Sequence, residues 1–491
     1  MRNDPTLKIN LPGGIVSAGT LRDILTAAQG AGVRQVRFGS RQQLLMKVPA
    51  EDLRFLERSL AAQQVPYELN ADQHPNLISS YCAEEVFRTG QWLTESEYHT
   101  VLDRFDYAPR LKVNLSDSQQ SFTPFFTGNL NFIASPEPHF WYLYVRPKQT
   151  NTVFRWRDLI YTNDLVRLAR AVEAALLTQK YPDEDTLYAA VNQTSTFITQ
   201  PATQEVELPD FSLPYYEGFN RYGSRTWLGL YRRNELFSVA LLRDLCTLCL
   251  TTRVGELCVT PWKSLIIKGI EEKHREAWSQ VLGRHNINVR HAANELAWQT
   301  EDHSDEGTSL KNDVLGYFQK HDTRTFGLCF GVQTRPRSEV FGSVLIRKRP
   351  LLRLGKYPLL SVYDLYHTEH FNPNRRKYLL FERGLWKIHL PGQLDRLCRK
   401  FNASRTDTHR VAQEAEVPPV GTLVASPGTY LTHQCPHCLT VYDATYGDAL
   451  RQVPPGLAFA ALPEHYTCPT CDAPKADFRP VTTGAGAVLQ P

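Results

Sequence analysis

Long apolar runs are missing from this chain of 491 residues. No stretch of 18 or more apolar residues occurs, so no membrane-spanning helix is predicted. The first residues, MRNDPTLKINLPGG, lack the apolar segment of a secretory signal, and the expected location is the cytoplasm. With 42% hydrophobic and 22% charged residues, the composition excludes a disordered or fibrous chain. The length predicts several folded domains.

A strong net charge is absent as well, since the formal value is only +4. The charge is unevenly distributed, however, because residues 343–410 contain 15 Lys and Arg against 5 Asp and Glu. Such a basic stretch indicates either a solvated face or a docking surface for an acidic partner. No zinc-finger, helix-turn-helix or RNA-binding motif accompanies it, so nucleic acid is not an expected partner.

Four of the ten cysteines of the chain form a regular pattern near its C-terminal end. Two C-x-x-C knuckles, Cys435-Pro-His-Cys438 and Cys468-Pro-Thr-Cys471, are separated by 29 residues. Each knuckle can place two thiolates on one metal, and together they complete a tetrahedral sulfur shell. This spacing alone leaves iron and zinc open, because zinc ribbons share it.

The residues between and after the knuckles carry a resemblance to a known family. They include Val441-Tyr442-Asp443, Tyr446-Gly447-Asp448, Pro454-Pro455-Gly456 and Ala473-Pro474-Lys475. In this order the segment 431–480 resembles the rubredoxin family. The resemblance implies one iron held by four thiolates, those of Cys435, Cys438, Cys468 and Cys471, and a role in one-electron transfer.

The same resemblance implies a small aromatic core in which the metal acts as a staple, formed by Tyr442, Tyr446, Phe459, Tyr466 and Phe478. The sequence departs from the family after each knuckle, where Leu439 and Asp472 stand in place of glycine. If that backbone position needs a positive φ, Leu439 is strained and Asp472 less so.

A linker is predicted over 411–430, VAQEAEVPPVGTLVASPGTY, which is rich in Pro, Gly, Ala and Val. The larger α+β body before it contains an internal repeat. Residues Val36–Val48 align with Leu257–Gly269, so that RFGSRQQLLMK lies over CVTPWKSLIIK. Each unit has the pattern helix, strand, turn, strand, helix, which predicts two similar units about a pseudo-twofold axis.

Other elements of the body are predicted from local patterns. Strands are expected within 109–118, 128–135 and 139–147, and one long helix over 157–180. The stretch 324–350 predicts a strand, a turn and a second strand. Cys246 and Cys249 lie in a predicted helix with no second pair nearby, which favours buried free thiols over a metal site.

The two repeated units also resemble the ferredoxin-like halves of the sirohaem nitrite and sulfite reductase family. The residues that carry this resemblance are Gly39-Ser40-Arg41-Gln42, Thr260-Pro261-Trp262-Lys263 and the segments KVNLSDSQQSF and TGNLNFIAS. The implied fold class is α+β multidomain, with a nitrite/sulfite-reductase-like pseudo-twofold body plus a small C-terminal rubredoxin domain.

The expected domains are a ferredoxin-like half-domain (1–72), a reductase-like α+β domain (73–220), a second half-domain (221–290), a basic α+β domain (291–410), the linker (411–430) and the rubredoxin domain (431–480).

The cysteines that hold the four-iron cluster of that family are not found. Neither C-x5-C nor C-x3-C occurs, and Arg88 stands six residues after Cys82. A standard cluster is therefore not expected. If a tetrapyrrole binds, the resemblance implies by position that its carboxylates face four basic residues, Arg41, Arg88, Lys112 and Lys263. The alternative is that these residues belong to a scaffold that has lost its cofactor.

The sequence thus predicts an electron carrier rather than an enzyme, with redox proteins as partners: a reductase as electron donor and an enzyme as acceptor. The body would dock a partner while the C-terminal domain carries the electron. Two alternatives stay open. One is a sirohaem-type nitrite or sulfite reductase with a fused rubredoxin as donor, and the other is a binding protein with structural zinc.

Overall fold

The computed structural model of the chain divides into two compact units, Met1–Thr406 and Asp407–Pro491. It describes residues 4–482 except 85, 88–91, 120–121, 123–125, 207, 210, 212, 214, 337, 355–356, 376, 416–430, 437–439, 445, 449–450, 452, 455 and 471. No helix in this part of the chain combines the length and the apolar character that crossing a membrane requires.

The body begins with one copy of the predicted repeat. Its elements are β1 (Thr6–Ile9), β2 (Ile15–Ser17), α1 (Ala18–Gly30), β3 (Gln35–Phe38), β4 (Leu44–Lys47), α2 (Leu53–Ala62) and β5 (Glu68–Leu69). Helix α1 is capped by Ser17, whose hydroxyl accepts a hydrogen bond from the Thr20 amide at 3.0 Å. Its apolar residues recur every three or four positions, so Leu21, Ile24 and Leu25 are all buried in the core.

A central layer follows, built on a seven-stranded sheet. Its elements are β6 (Ile78–Ser79), α3 (Glu95–Leu102), β7 (Val113–Ser116), β8 (Leu130–Ala134), β9 (Phe140–Val145), β10 (Phe154–Arg155), β11 (Asp158–Tyr161), α4 (Leu165–Thr178), α5 (Glu184–Thr194) and β12 (Thr199–Pro201). The strand order is β12-β11-β9-β8-β7-β6, and β10 pairs with β9. The three strands expected within 109–147 are therefore neighbours in one sheet.

The single helix predicted over 157–180 is wrong at its beginning. Residues Asp158–Tyr161 form β11 between β9 and β12, and helix α4 starts only at Leu165. Leu159 and Ile160 are both buried, and consecutive buried residues in a short β-branched and aromatic segment suit a strand covered on both faces.

The second copy of the repeat has the predicted order. It consists of β13 (Gly218–Tyr222), β14 (Arg225–Leu230), β15 (Phe237–Ser238), α6 (Val239–Thr251), β16 (Glu256–Val259), β17 (Leu265–Ile270) and α7 (Arg275–Arg284). The two turns match in detail, since Gln42 and Lys263 at aligned positions have φ of 58° and 57°. The amide of Gly39 donates to Gln43 O at 2.8 Å, and the amide of Thr260 donates to Ser264 O at 2.9 Å.

The two copies exchange strands with each other. Strand β2 of the first copy pairs with β16 of the second, and β15 of the second pairs with β3 of the first. Helices α1 and α6, which directly follow the exchanged strands, pack together, and the apolar residues of both copies form one core. This reciprocal arrangement is the pseudo-twofold body that the repeat predicted.

The basic part of the body forms a further sheet. Its elements are α8 (Ala293–Leu296), β18 (Trp298–Thr300), α9 (Asp305–Lys320), β19 (Phe330–Gln333), β20 (Val344–Leu354), β21 (Tyr357–Thr368), β22 (Tyr378–Leu385) and α10 (Leu390–Ala415). The strands are ordered β18-β19-β20-β21-β22. Two strands do occur within 324–350, but β19 and β20 are parallel, so the turn between them does not close a hairpin.

Helix α10 continues through Ala415 and so includes the first five residues of the predicted linker, 411–415. The rest of the predicted linker, 416–430, lies outside the described residues.

The C-terminal unit contains a three-stranded antiparallel sheet. Its strands are β23 (Leu431–Gln434), β24 (Val441–Tyr442) and β25 (Arg479–Thr482), in the order β24-β23-β25. Strand β23 leads directly into the first cysteine knuckle, and β25 follows the second knuckle.

Candidate metal centre and the charged cleft of the body

The two knuckles of the C-terminal unit place their first cysteines in equivalent, fully buried positions. Cys435 and Cys468 both have no exposed surface. The amide of Cys435 donates to Thr440 O at 2.9 Å, and the amide of Cys468 donates to Ala473 O at 2.8 Å. Each bond spans five residues, so the chain makes the same turn twice. Cys438 and Cys471 lie outside the described residues.

The two turns also contact each other. The hydroxyl of Thr440, which follows the first knuckle, donates to the hydroxyl of Thr470 inside the second at 2.8 Å. Two buried thiols on matching, adjacent turns provide half of a four-thiolate set, which suits iron or zinc. The described half of the predicted ligand set therefore fits the metal.

Asp472, directly after the second knuckle, has a φ of 58°. This is the left-handed conformation expected from the glycine of the rubredoxin pattern, and aspartate tolerates it better than most residues. The Asp472 carboxylate pairs with Arg451, and Arg451 also donates to Cys468 O at 3.2 Å. The equivalent residue after the first knuckle, Leu439, lies outside the described residues.

The predicted aromatic core is present with one correction. Tyr442, Tyr466 and Phe478 are buried, and Phe459 packs against them with ring centroids 5.2–6.3 Å apart. The Tyr466 hydroxyl donates to Asp448 Oδ2 at 2.8 Å; burial and this bond raise its pKa. Tyr446, predicted as a core residue, is 78% exposed. Its position in a turn after Asp443 directs it away from the sheet.

Two of the four basic residues predicted in the body share one cleft of about 440 Å³. Arg41 is buried at its wall, where its guanidinium donates to Asn76 O at 2.6 Å and to Val113 O at 3.0 Å. Burial lowers the pKa of Arg41 to about 10. Lys112 pairs with Glu339 in the same cleft. Arg88 lies outside the described residues.

Lys263 is buried close to the cleft but does not line it. Its ammonium donates to Glu235 Oε2 at 2.8 Å and to Thr300 O at 2.9 Å, and it lies 3.3 Å from Asp302 Oδ1. Burial alone would lower the pKa of Lys263, but the facing carboxylates outweigh it and hold that pKa above its ordinary value.

The described lining of this cleft does not fit sirohaem. Its carboxylates outnumber its cations, with Asp72, Glu301, Asp302 and Glu339 against Arg41, Lys112 and Arg335. A tetrapyrrole that carries many carboxylates would face like charges there, and the cations that could bind it already have protein partners. The carboxylates Glu235 and Glu339 were not predicted from the sequence. They lie 28 and 227 positions from their partners, Lys263 and Lys112, and no local sequence pattern indicates such distant pairs.

Comparison with known proteins identifies the C-terminal unit. The Rubredoxin family model matches residues 432–478. Over 45 residues the chain is 56% identical to the probable rubredoxin HupI of Bradyrhizobium diazoefficiens, which is 9% of this chain and 65% of that protein. It is 58% identical over 45 residues to the probable rubredoxin HupJ of Rhodobacter capsulatus, covering only 16% of it. Rubredoxin-2 of Desulfovibrio desulfuricans is 43% identical over 56 residues, 11% of this chain and 90% of that protein.

The chain thus spans less than two thirds of the HupI and HupJ proteins that it matches. The larger part of the chain has a structural relative instead. The NirA protein of Mycobacterium tuberculosis superposes with a TM-score of 0.61 at 13% identity and covers 80% of each chain. A likeness at this identity establishes the fold, and the predicted fold class, a reductase-like body plus a small C-terminal rubredoxin domain, is confirmed.

Proposed function

Because the chain belongs to the rubredoxin family through its C-terminal domain, we propose that it transfers electrons one at a time at a single iron held by Cys435, Cys438, Cys468 and Cys471. The observation that supports this most directly is the pair of matching turns that bury Cys435 and Cys468 and meet at Thr440 and Thr470. The proposal includes a reducing, cytoplasmic location, where paired cysteines serve as metal ligands more often than as disulfides.

Iron with four thiolates supplies a one-electron couple and leaves no position for a substrate. The protein contributes the environment of the sulfurs. Burial of Cys435 and Cys468 keeps water from two of the ligands, and the backbone turns fix their directions before the metal binds. The Asp472 carboxylate and its partner Arg451 place opposite charges beside the second knuckle, where they influence the reduction potential.

An absorption spectrum of the purified full chain, with metal analysis on the same sample, tests the iron assignment. We expect thiolate-to-iron charge-transfer bands that bleach with dithionite, and about one iron per chain. A colourless sample that contains zinc would contradict the redox function and leave the site structural. Bands of a tetrapyrrole would instead support the second function considered below.

The body is proposed to recognise the redox partners, a reductase that donates the electron and an enzyme that accepts it. The basic residues of the last sheet and helix α10 support this. Arg396 and Lys400, four residues apart on α10, both approach the Phe381 ring, at 6.0 and 5.8 Å from its centroid, and both are exposed. A basic surface of this kind attracts acidic partners and raises the rate of association.

Reversing these two charges tests the docking role. The variant Arg396→Glu/Lys400→Glu should slow reduction of the iron centre by NADH and a cell extract about tenfold at low salt, because steering by charge is lost. Reduction by dithionite should stay unchanged, since it needs no docking. Arg54→Glu/Arg58→Glu is a matched control, with two exposed arginines four residues apart on α2. Equal rates for wild type and the α10 variant would contradict a docking role for this surface.

A second candidate function is reduction of a small oxyanion such as nitrite or sulfite at a sirohaem in the body. The observation that favours it is that Arg41 and Lys112 share one cleft in a fold also found in the NirA protein. The paired cations and the surplus of carboxylates in that cleft count against it. Acid–acetone extraction of the purified chain should yield no tetrapyrrole. Recovery of one would favour oxyanion reduction over electron transfer alone.

A further inference from the structure

A cluster of metal-ligating side chains lies in the body, apart from the cysteine knuckles. Glu95 and His99 are four residues apart on α3 and so share one face of the helix. Glu256 reaches the same place from β16. One ligand atom from each of the three residues lies within 4.8 Å of the other two, and all three residues are half-buried. This spacing lets a single cation contact all three side chains.

The hydroxyl of Tyr81 lies between the two carboxylates of the cluster. It lies 2.6 Å from Glu95 Oε1 and also contacts Glu256 Oε1. A hydroxyl has one proton and can donate to only one of the two carboxylates. One of the two carboxylates therefore receives no hydrogen bond from Tyr81, and a bound cation would interact favourably with both.

His99 supplies a ligand of a different kind. Its ring packs edge-on against Tyr81, with centroids 5.3 Å apart. No hydrogen bond to either ring nitrogen is found among the described residues, so a lone pair remains available for a metal. The ammonium of Lys268 lies 4.1 Å from the centroid of the Tyr81 ring. The two carboxylates and the imidazole face one another across a space that a single cation could occupy.

We propose that Glu95, His99 and Glu256 bind one divalent transition-metal ion, of the class of Mn²⁺, Fe²⁺ or Zn²⁺. One imidazole and two carboxylates are ligands that these ions accept, whereas Ca²⁺ and Mg²⁺ prefer oxygen alone. Three protein ligands leave further coordination positions to water, and half-burial gives water access. The ion would join α3 of the central layer to β16 of the second repeat, two elements that are distant in sequence.

Titration with Mn²⁺, followed by electron paramagnetic resonance of the free ion, tests this proposal on the full chain loaded with iron. Mn²⁺ is the weakest binder among these metals and does not compete for the thiolate site. Wild type should bind one Mn²⁺ per chain. His99→Ala and Glu256→Gln should weaken this binding at least about tenfold, while the iron content stays the same. Glu97→Gln is a matched control on the same helix, where Glu97 pairs with His139 at 2.9 Å.

Three results would overturn the proposal. The first two are no Mn²⁺ bound by wild type at millimolar concentration, and equal affinity in wild type and His99→Ala. His99→Ala is the decisive variant because it removes no hydrogen-bond partner of Tyr81 and should leave the fold unchanged. Loss of affinity in Glu97→Gln as large as in His99→Ala would also refute it, since the binding would then be general to the acidic surface.

Discussion

Replacing Cys468 by serine should remove the iron from the chain almost completely. A serine hydroxyl is a poor ligand for iron in a thiolate site, and Cys468 is fully buried. The core of the C-terminal unit is small, so metal binding supplies much of its folding free energy. We therefore expect loss of the charge-transfer bands, iron near zero per chain, and rapid proteolysis within 431–482, measured on wild type and variant side by side.

Cys398→Ser is the matched control, because Cys398 is also buried but lies in the core of the body. It should keep the full iron content. The eight tryptophans all lie between residues 92 and 386, so tryptophan fluorescence reports on the body alone. That signal should be the same in Cys468→Ser and wild type. Iron retained by Cys468→Ser at the wild-type level would refute the assignment of this ligand.

Replacing Lys263 by methionine should destabilise the body by about 3 to 5 kcal/mol, because Glu235 would lose its closest cationic partner inside the protein. Glu235 is 5% exposed, and the next cation, Lys311, is 3.9 Å away. Denaturant unfolding followed by tryptophan fluorescence measures the loss.

The pKa of Glu235 is held low, and the stability this gives is lost as pH falls through its folded pKa. The pKa of Lys263 is held high, and its contribution is lost as pH rises through its folded pKa. The pair in the wild type should therefore contribute fully between pH 4.5 and 10.5, and this contribution should decline on either side of that range.

Lys387→Met provides the contrast for this prediction. Lys387 and Asp313 also form a pair, at 2.7 Å, but their side chains are 54% and 50% exposed. Exposed pairs contribute under about 1 kcal/mol, so this variant should unfold nearly as wild type does. Similar losses in both variants would mean that burial of the Lys263 pair does not determine its contribution.

The repeat was the part of the body that the sequence predicted best. The alignment of RFGSRQQLLMK with CVTPWKSLIIK identified two turns that share a positive φ, at Gln42 and Lys263, and the same backbone hydrogen bonds. Such agreement is possible because strand–turn–strand patterns are local. The cysteine knuckles were equally local, and the rubredoxin family was recognised from residues within one segment.

Features that depend on distant residues were missed. The partner of Lys112 is Glu339, and the partners of Lys263 include Glu235 and Asp302, none of which a local pattern indicates. Tyr446 was placed in the core from the family pattern, although its turn exposes it. The sequence assigns residues Asp158–Tyr161 to the helix that follows them. Their strand partners, β9 and β12, lie outside the segment 157–180, so its local pattern does not indicate a strand.

The exchange of strands between the two repeats has a consequence for synthesis of the chain on the ribosome. Strand β3 ends at Phe38, but the strand that covers its edge, Phe237–Ser238, is made about 200 residues later. At roughly 5–20 residues per second this interval lasts about 10 to 40 seconds. Throughout it, the first half of the body presents an uncovered strand edge and a helix without its partner to other nascent chains. Newly made chains should therefore depend on chaperones until residue 251, the end of α6, has emerged.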